Sequence, residues 1–188
     1  MTTNNPESLY FIAIIPPQPI FNKIFAFKEH MAANYDSKAA LKSPPHITLQ
    51  MPFKWDTHKE EILTNTLQQF SQQQIEFEME LLNFSHFESR VLYIDIVANN
   101  YLHILQKELA YAMQALQLFN STHKSNGFKP HITIAFRDLK KQQFQLAWKE
   151  FIEMKYHAKF KVNSICLLKH NGKTWDVFKE LNFKKNNE

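Results

Sequence analysis

The sequence predicts an α+β protein built as two related halves, and three observations carry that prediction. Strand-like and helix-like segments follow in the order strand, helix, strand, helix, strand, and then do so again. The five residues Pro45-His46-Ile47-Thr48-Leu49 return 85 positions later as Pro130-His131-Ile132-Thr133-Ile134. Several strands alternate strictly between apolar and polar residues, the pattern of a sheet with one buried and one wet face. Two such halves related by a pseudo-twofold axis can place their His-x-Thr strands on either side of one cleft.

Leu9-Tyr10-Phe11-Ile12-Ala13-Ile14-Ile15, stopped by Pro16-Pro17, reads as a buried strand. From Pro19, the spacing of Ile20, Ile24, Phe27 and Met31 predicts an amphipathic helix to about Asn34. Ser43-Pro44-Pro45 delivers the chain into the first His-x-Thr strand. Asp56 or Thr57 can cap a second helix, with Ile62, Leu63, Leu67 and Phe70 on its inner side. Ile75 to Leu81 alternates as a strand. Arg90 to Val97 restarts the pattern, Leu102, Leu105, Leu109, Met113 and Leu116 mark a third helix, and the polar loop Asn120 to Lys129 leads to the second His-x-Thr strand. A helix around Phe144, Trp148 and Phe151 and an alternating strand, Lys159 to Val162, complete the second half.

Aligning Leu9-Tyr10 on Leu92-Tyr93, His46 on His131 and Phe77 on Phe160 needs offsets of 83, 85 and 83, the mark of an internal duplication. A single domain over 1-188 is expected, with lobes of approximately 8-84 and 90-163. A hairpin at 164-178 turns at Asn171-Gly172, and the tail Lys184 to Glu188 is expected to fray.

Composition narrows the function. The hydrophobic fraction of 44% with 14% aromatics is that of a folded domain, and no linker divides the chain. With one cysteine, Cys166, set in an apolar run, no disulfide can form within the chain. The longest apolar run, Leu9 to Pro17, falls far short of the about 18 residues that cross a bilayer, so no membrane partner and a cytoplasmic location are expected. A monomer is expected as well. A net charge of +4 favours anionic ligands without requiring nucleic acid. The two glycines, Gly127 and Gly172, lie too far apart for either Gly-x-Ser-x-Gly or a P-loop.

In an extended strand, residues two apart point the same way, about 6.5 to 7 Å apart. Each motif copy therefore offers an imidazole beside a hydroxyl, with Ile47, Leu49, Ile132 and Ile134 on the opposite, buried face. Nine His and nine Thr yield about 0.4 His-x-Thr matches by chance; two copies sharing proline, isoleucine and a following aliphatic residue are a different matter. Two imidazoles that titrate near neutrality can act as a base and an acid at one pH. Two threonine hydroxyls can hydrogen-bond the non-bridging oxygens of an anion. Phosphodiester cleavage fits this set. Metal sites need three or four close ligands, and no His-Glu-x-x-His, Cys-x-x-Cys or acidic cluster lies near either motif, so no cofactor is expected.

Duplicated His-x-Thr strands in a chain of this size resemble the two-histidine phosphoesterase superfamily, specifically the RNA 2′,3′-cyclic phosphodiesterases, also called 2′-5′ RNA ligase-like proteins. The resemblance spans nearly the whole chain. It implies two lobes, each an antiparallel sheet with outer helices, around a central cleft, and metal-independent chemistry on RNA ends or nucleotides bearing a 2′,3′-cyclic phosphate. By this resemblance His46 and His131 are acid and base, with His131 activating water, and Thr48 and Thr133 hold phosphate. One departure stands out: members often carry arginine five residues after the second histidine, where this chain has Phe136. Arg137 comes one later and either reaches phosphate from the strand end or pairs with a surface acid.

Tyr10, Phe11, Phe53, Phe136 and Trp175 are candidate platforms for a nucleobase, each weighed against an ordinary core role. Lys124, Lys129 and Lys169 are candidates to meet an RNA backbone, against the simpler reading of solvated loop lysines. Two alternatives stay open beside cyclic phosphodiester hydrolysis: reversible 2′-5′ ligation by the same acid-base pair, and a nucleotide-binding module without turnover.

Overall fold

In the computed structural model, residues 6–119 and 127–184 are described. They form eight strands and four helices: β1 (Glu7–Ile14), α1 (Ile20–Tyr35), β2 (Ile47–Asp56), α2 (Glu60–Ser71), β3 (Phe77–Phe87), β4 (Val91–Ile96), α3 (Asn100–Gln114), β5 (Ile132–Ala135), α4 (Lys141–Phe151), β6 (His157–Val162), β7 (Ser164–His170) and β8 (Trp175–Asn182). Capping follows local chemistry. The Asp56 carboxylate accepts from the His58 N–H at the turn into α2, and Asn99 accepts from the Leu102 N–H at the start of α3.

The strands make one antiparallel sheet in the order β6-β3-β4-β5-β2-β1-β7-β8. Two four-stranded halves, β6-β3-β4-β5 and β2-β1-β7-β8, meet where Ile47 of β2 pairs with Ile132 of β5. The half-sheets do not follow the sequence halves expected at 8-84 and 90-163: β3 of the first half joins the strands of the second, and β1 and β2 are completed by strands from beyond residue 163. β3 pairs with β4 and β6, and β1 takes β7 as its outer neighbour. A short turn between Phe87 and Val91 makes β3–β4 a hairpin, so β3 goes where its immediate successor goes. The expected C-terminal hairpin forms, with β8 continuing to Asn182.

The helices bury their apolar stripes against one side of this sheet. Ile24, Phe27 and Met31 of α1, Leu63 and Leu67 of α2, Leu102, Leu105 and Leu109 of α3, and Phe144 and Phe151 of α4 join Tyr10, Ile12, Ile14, Ile47 and Ile132 in one core. A smaller cluster, Phe11, Ala13, Cys166 and Leu168, lies on the other side of β1 and β7. That second side carries the histidines.

β1 is apolar on both faces, so its pairing alone tells which residue looks where. Ala13 stands across from Thr48 and Ile14 across from Ile47; in the other half-sheet Tyr93 stands across from Thr133 and Ile94 across from Ile132. The match between β1 and β4 is therefore Ala13 with Tyr93, an offset of 80 where the sequence suggested 83. A change of three residues reverses the face.

Candidate active site

Ile47 and Ile132 are fully buried, whereas His46, Thr48, His131 and Thr133 are all half-buried on the opposite face. The antiparallel register through Ile47 and Ile132, continued one residue each way, puts His46 across from Thr133 and Thr48 across from His131. Directly opposed side chains start about 5 Å apart and diagonal ones about 7 to 8 Å apart. The two imidazoles occupy one diagonal and the two hydroxyls the other, a spacing that an anion the size of a phosphate can span.

Each imidazole is held by the same local device. Nδ1 of His46 lies 2.7 Å from the Pro44 carbonyl oxygen, and Nδ1 of His131 lies 2.7 Å from that of Lys129. A carbonyl can only accept, so Nδ1 carries the proton in both rings and Nε2 is left for chemistry. Neighbouring rings fix the planes. Phe11 lies 4.8 Å from His46, while Phe87 and Tyr93 lie 4.9 and 5.0 Å from His131.

Their electrostatic settings differ. Burial first, and the nearby Lys28 ammonium second, push the His46 imidazole down to about 4 against the opposing bond to Pro44. Burial also lowers His131, but there the carbonyl of Lys129 and the charge of Asp95 pull it back up. Lys28 is itself buried on α1, and Asp95 sits on β4 two residues beyond Tyr93.

The aromatic candidates divide between the faces. Phe11 and Trp175 lie on the histidine side, with ring centres 4.7 Å apart, and His170 extends the row 4.9 Å beyond Trp175. Phe136 comes just after a bulge, beyond the end of β5, and is half-buried. Leu92 pairs with Ala135 and Tyr93 with Thr133, so Ile134 and Ala135 both turn inward. Tyr10 and Phe53 do not belong to this group. They pair across β1 and β2 on the helix side, where Tyr10 is fully buried and donates its hydroxyl to Glu60.

Lys169 is also on the helix side rather than in a loop by the cleft, paired to Glu60 at 2.6 Å. Lys129 is exposed beside His131, and Lys124 lies outside the described residues. Arg137 is exposed, with φ 58°, and its guanidinium rests 5.0 Å over Phe136.

Sequence reasoning passed over Tyr93, Phe87, Asp95, His170 and Lys28. Tyr93 and Asp95 left a trace: two residues with polar tips, two apart, in an otherwise apolar strand. Among the described residues, no three of His, Cys, Asp and Glu gather into a possible metal site, and no helix is long and apolar enough to cross a membrane. A groove of about 810 Å³ between α2 and α3, lined by Gln69, Gln73, Lys107 and Tyr111, lies on the helix side and holds none of these groups.

Two half-sheets meeting at a pair of His-x-Thr strands define the two-histidine phosphoesterase class, and the chain belongs to the 2′-5′ RNA ligase superfamily, whose sequence model matches residues 16–174. A "Putative phosphoesterase" of Geobacillus kaustophilus (strain HTA426) is 28% identical over 173 residues, covering 90% of this chain and 92% of that one. The fold resembles that of TT0787 of Thermus thermophilus, with a TM-score of 0.68 and 15% identity over 95% of this chain and 99% of that one. It also resembles E. coli LigT, solved with 3′-AMP, with a TM-score of 0.63 and 18% identity over 96% of this chain and 100% of that one.

Proposed function

We propose that this protein is a metal-independent phosphodiesterase that opens 2′,3′-cyclic phosphate ends of RNA or nucleotides. The observation that carries the reading is the diagonal pairing of two Nε2-presenting histidines with two threonine hydroxyls at the Ile47–Ile132 seam. Membership of a phosphoesterase class supports it, as does the capture of 3′-AMP by LigT on the same fold.

The phosphate occupies the space between the four groups, with Thr48 and Thr133 donating to its non-bridging oxygens. One histidine takes a proton from water through Nε2 as the water oxygen bonds to phosphorus. The other gives its Nε2 proton to the departing ribose oxygen, leaving a phosphomonoester and a free hydroxyl. Lys28 disfavours a proton on His46, and Asp95 favours one on His131. His46 is then the base and His131 the acid, the reverse of the assignment that the family resemblance implies. An anionic phosphate draws the needed proton onto the site and deposits it on His131.

The test is turnover of 2′,3′-cyclic AMP, GMP, CMP and UMP with EDTA present, followed by product identification. Replacing either histidine by alanine should cost on the order of 10² to 10⁴ in rate. Thr48→Val or Thr133→Val should cost less, because one neutral donor remains. A variant that keeps near-normal turnover after losing a histidine removes that residue from the mechanism. Binding without turnover in the unaltered chain replaces the reading with that of a nucleotide-binding module, and joined 2′-5′ products replace it with ligation.

A further inference from the structure

A single turn of 3₁₀-helix, Ala39–Lys42, carries the chain into Ser43-Pro44-Pro45-His46. Opposite charges close its two ends. At the front, Asp138, just beyond β5, accepts from the Ser37 hydroxyl at 2.9 Å and from the Lys38 and Ala39 N–H groups, each at 2.8 Å. At the back, the Lys28 ammonium reaches up from α1 and donates to the carbonyls of Ala40 at 3.1 Å and Ser43 at 2.9 Å. A helical turn leaves its first N–H and last C=O groups unpaired, with partial positive and negative charge respectively. Each charge therefore sits at the end it complements.

Lys28 is the costly member of this clamp. Its side chain is 1% exposed, and taking an ammonium out of water is unfavourable enough that burial pulls it down to about 7. Methionine would fill a similar volume without that cost. What methionine could not supply is two hydrogen bonds to the turn and a positive charge near enough to act on the imidazole three residues after Ser43.

We propose that Lys28 is a positioning residue for His46: it pins the turn that presents the imidazole, and its charge keeps that imidazole free to accept a proton. The proposal rests on the reading of His46 as the base. The charged groups facing His46 are Lys28 from α1 and His131 from the approach to β5; β1 presents the uncharged ring of Phe11.

The experiment is an NMR titration of the His46 Cε1–H in the unaltered chain and in Lys28→Met, Lys28→Arg and Asp138→Asn, paired with kcat/KM against pH on a 2′,3′-cyclic nucleotide. In Lys28→Met the His46 midpoint should rise by about one pH unit, and the acid limb of kcat/KM should rise with it. Lys28→Arg keeps the charge and should keep the midpoint low. Asp138→Asn loosens the other end of the turn and should lower kcat without moving the midpoint. A folded Lys28→Met protein with an unmoved midpoint overturns the proposal. If the Lys28 variants do not fold, the unaltered chain decides: the His46 signal should show a second inflection as Lys28 loses its proton near its value of about 7, and its absence overturns the coupling. The titration needs no turnover, so a shifted midpoint in a chain inactive on cyclic nucleotides would uphold the clamp and reject the phosphodiesterase reading.

Discussion

His46→Asn should make the protein less sensitive to mild acid. Its amide can donate to the Pro44 carbonyl as Nδ1 does, but it cannot take up a proton. In the folded chain His46 binds a proton only near about 4, against 6.5 when unperturbed. Between those values the unfolded chain binds more protons than the folded one, so stability rises with pH across the window and is lost as pH falls through it. Integrating for this one site, lowering the pH from about 7 to about 5 costs the native protein about 2 kcal/mol, and the full window about 3. Urea unfolding at the two pH values measures it. Other acid-sensitive groups act in both proteins and cancel in the difference, so the native chain should lose about 2 kcal/mol more than His46→Asn. Equal losses would refute the reasoning, because they would mean that His46 titrates normally in the fold.

Chelation should leave turnover intact; loss of activity in EDTA with recovery on a divalent ion would show that the reaction uses a metal. Trp175→Ala should raise KM for a nucleotide by roughly tenfold if a base stacks there, whereas Phe53→Ala, on the helix side, should lower Tm and leave KM unchanged. Asp138→Ala should destabilise the chain by about 1 to 2 kcal/mol in thermal or urea unfolding, the usual cost of a lost helix-end acceptor. Burial pushes the Cys166 thiol up to about 12, so a thiol reagent at neutral pH should label it at the rate of unfolding and no faster.

The histidine face was legible because its strands are short and two-sided in composition. In Ile47-Thr48-Leu49 and Ile132-Thr133-Ile134, parity alone separates buried aliphatic residues from half-buried threonines. Tyr10-Phe11-Ile12 offers no such contrast. Both faces of β1 are covered, one by helices and the other by the cluster around Phe11, so Tyr10 and Phe11 look alike until the partner of Ala13 is known. The bulge that turns Ile134 and Ala135 inward together is equally silent in sequence. Lys28, four residues after Ile24 and three before Met31, stands on the flank of the apolar stripe of α1, where a long lysine ordinarily carries its ammonium out to water. Only the tertiary approach of the Ala39–Lys42 turn explains a buried lysine there.

The neighbours of β1 set an order in which the protein can come into being. β1 is made well before its outer neighbour β7 and the edge strand β8, which come from Ser164–Asn182. Until that hairpin leaves the ribosome, β1 has an open edge, and Phe11 lacks both Leu168 beside it and the Trp175 ring. Contacts so distant in sequence form late and slowly. A nascent chain can hold both His-x-Thr segments and still lack the sheet that seats them, with an exposed apolar strand inviting the wrong partner. Reactivity and protection from aggregation would arrive together, with the β7–β8 hairpin.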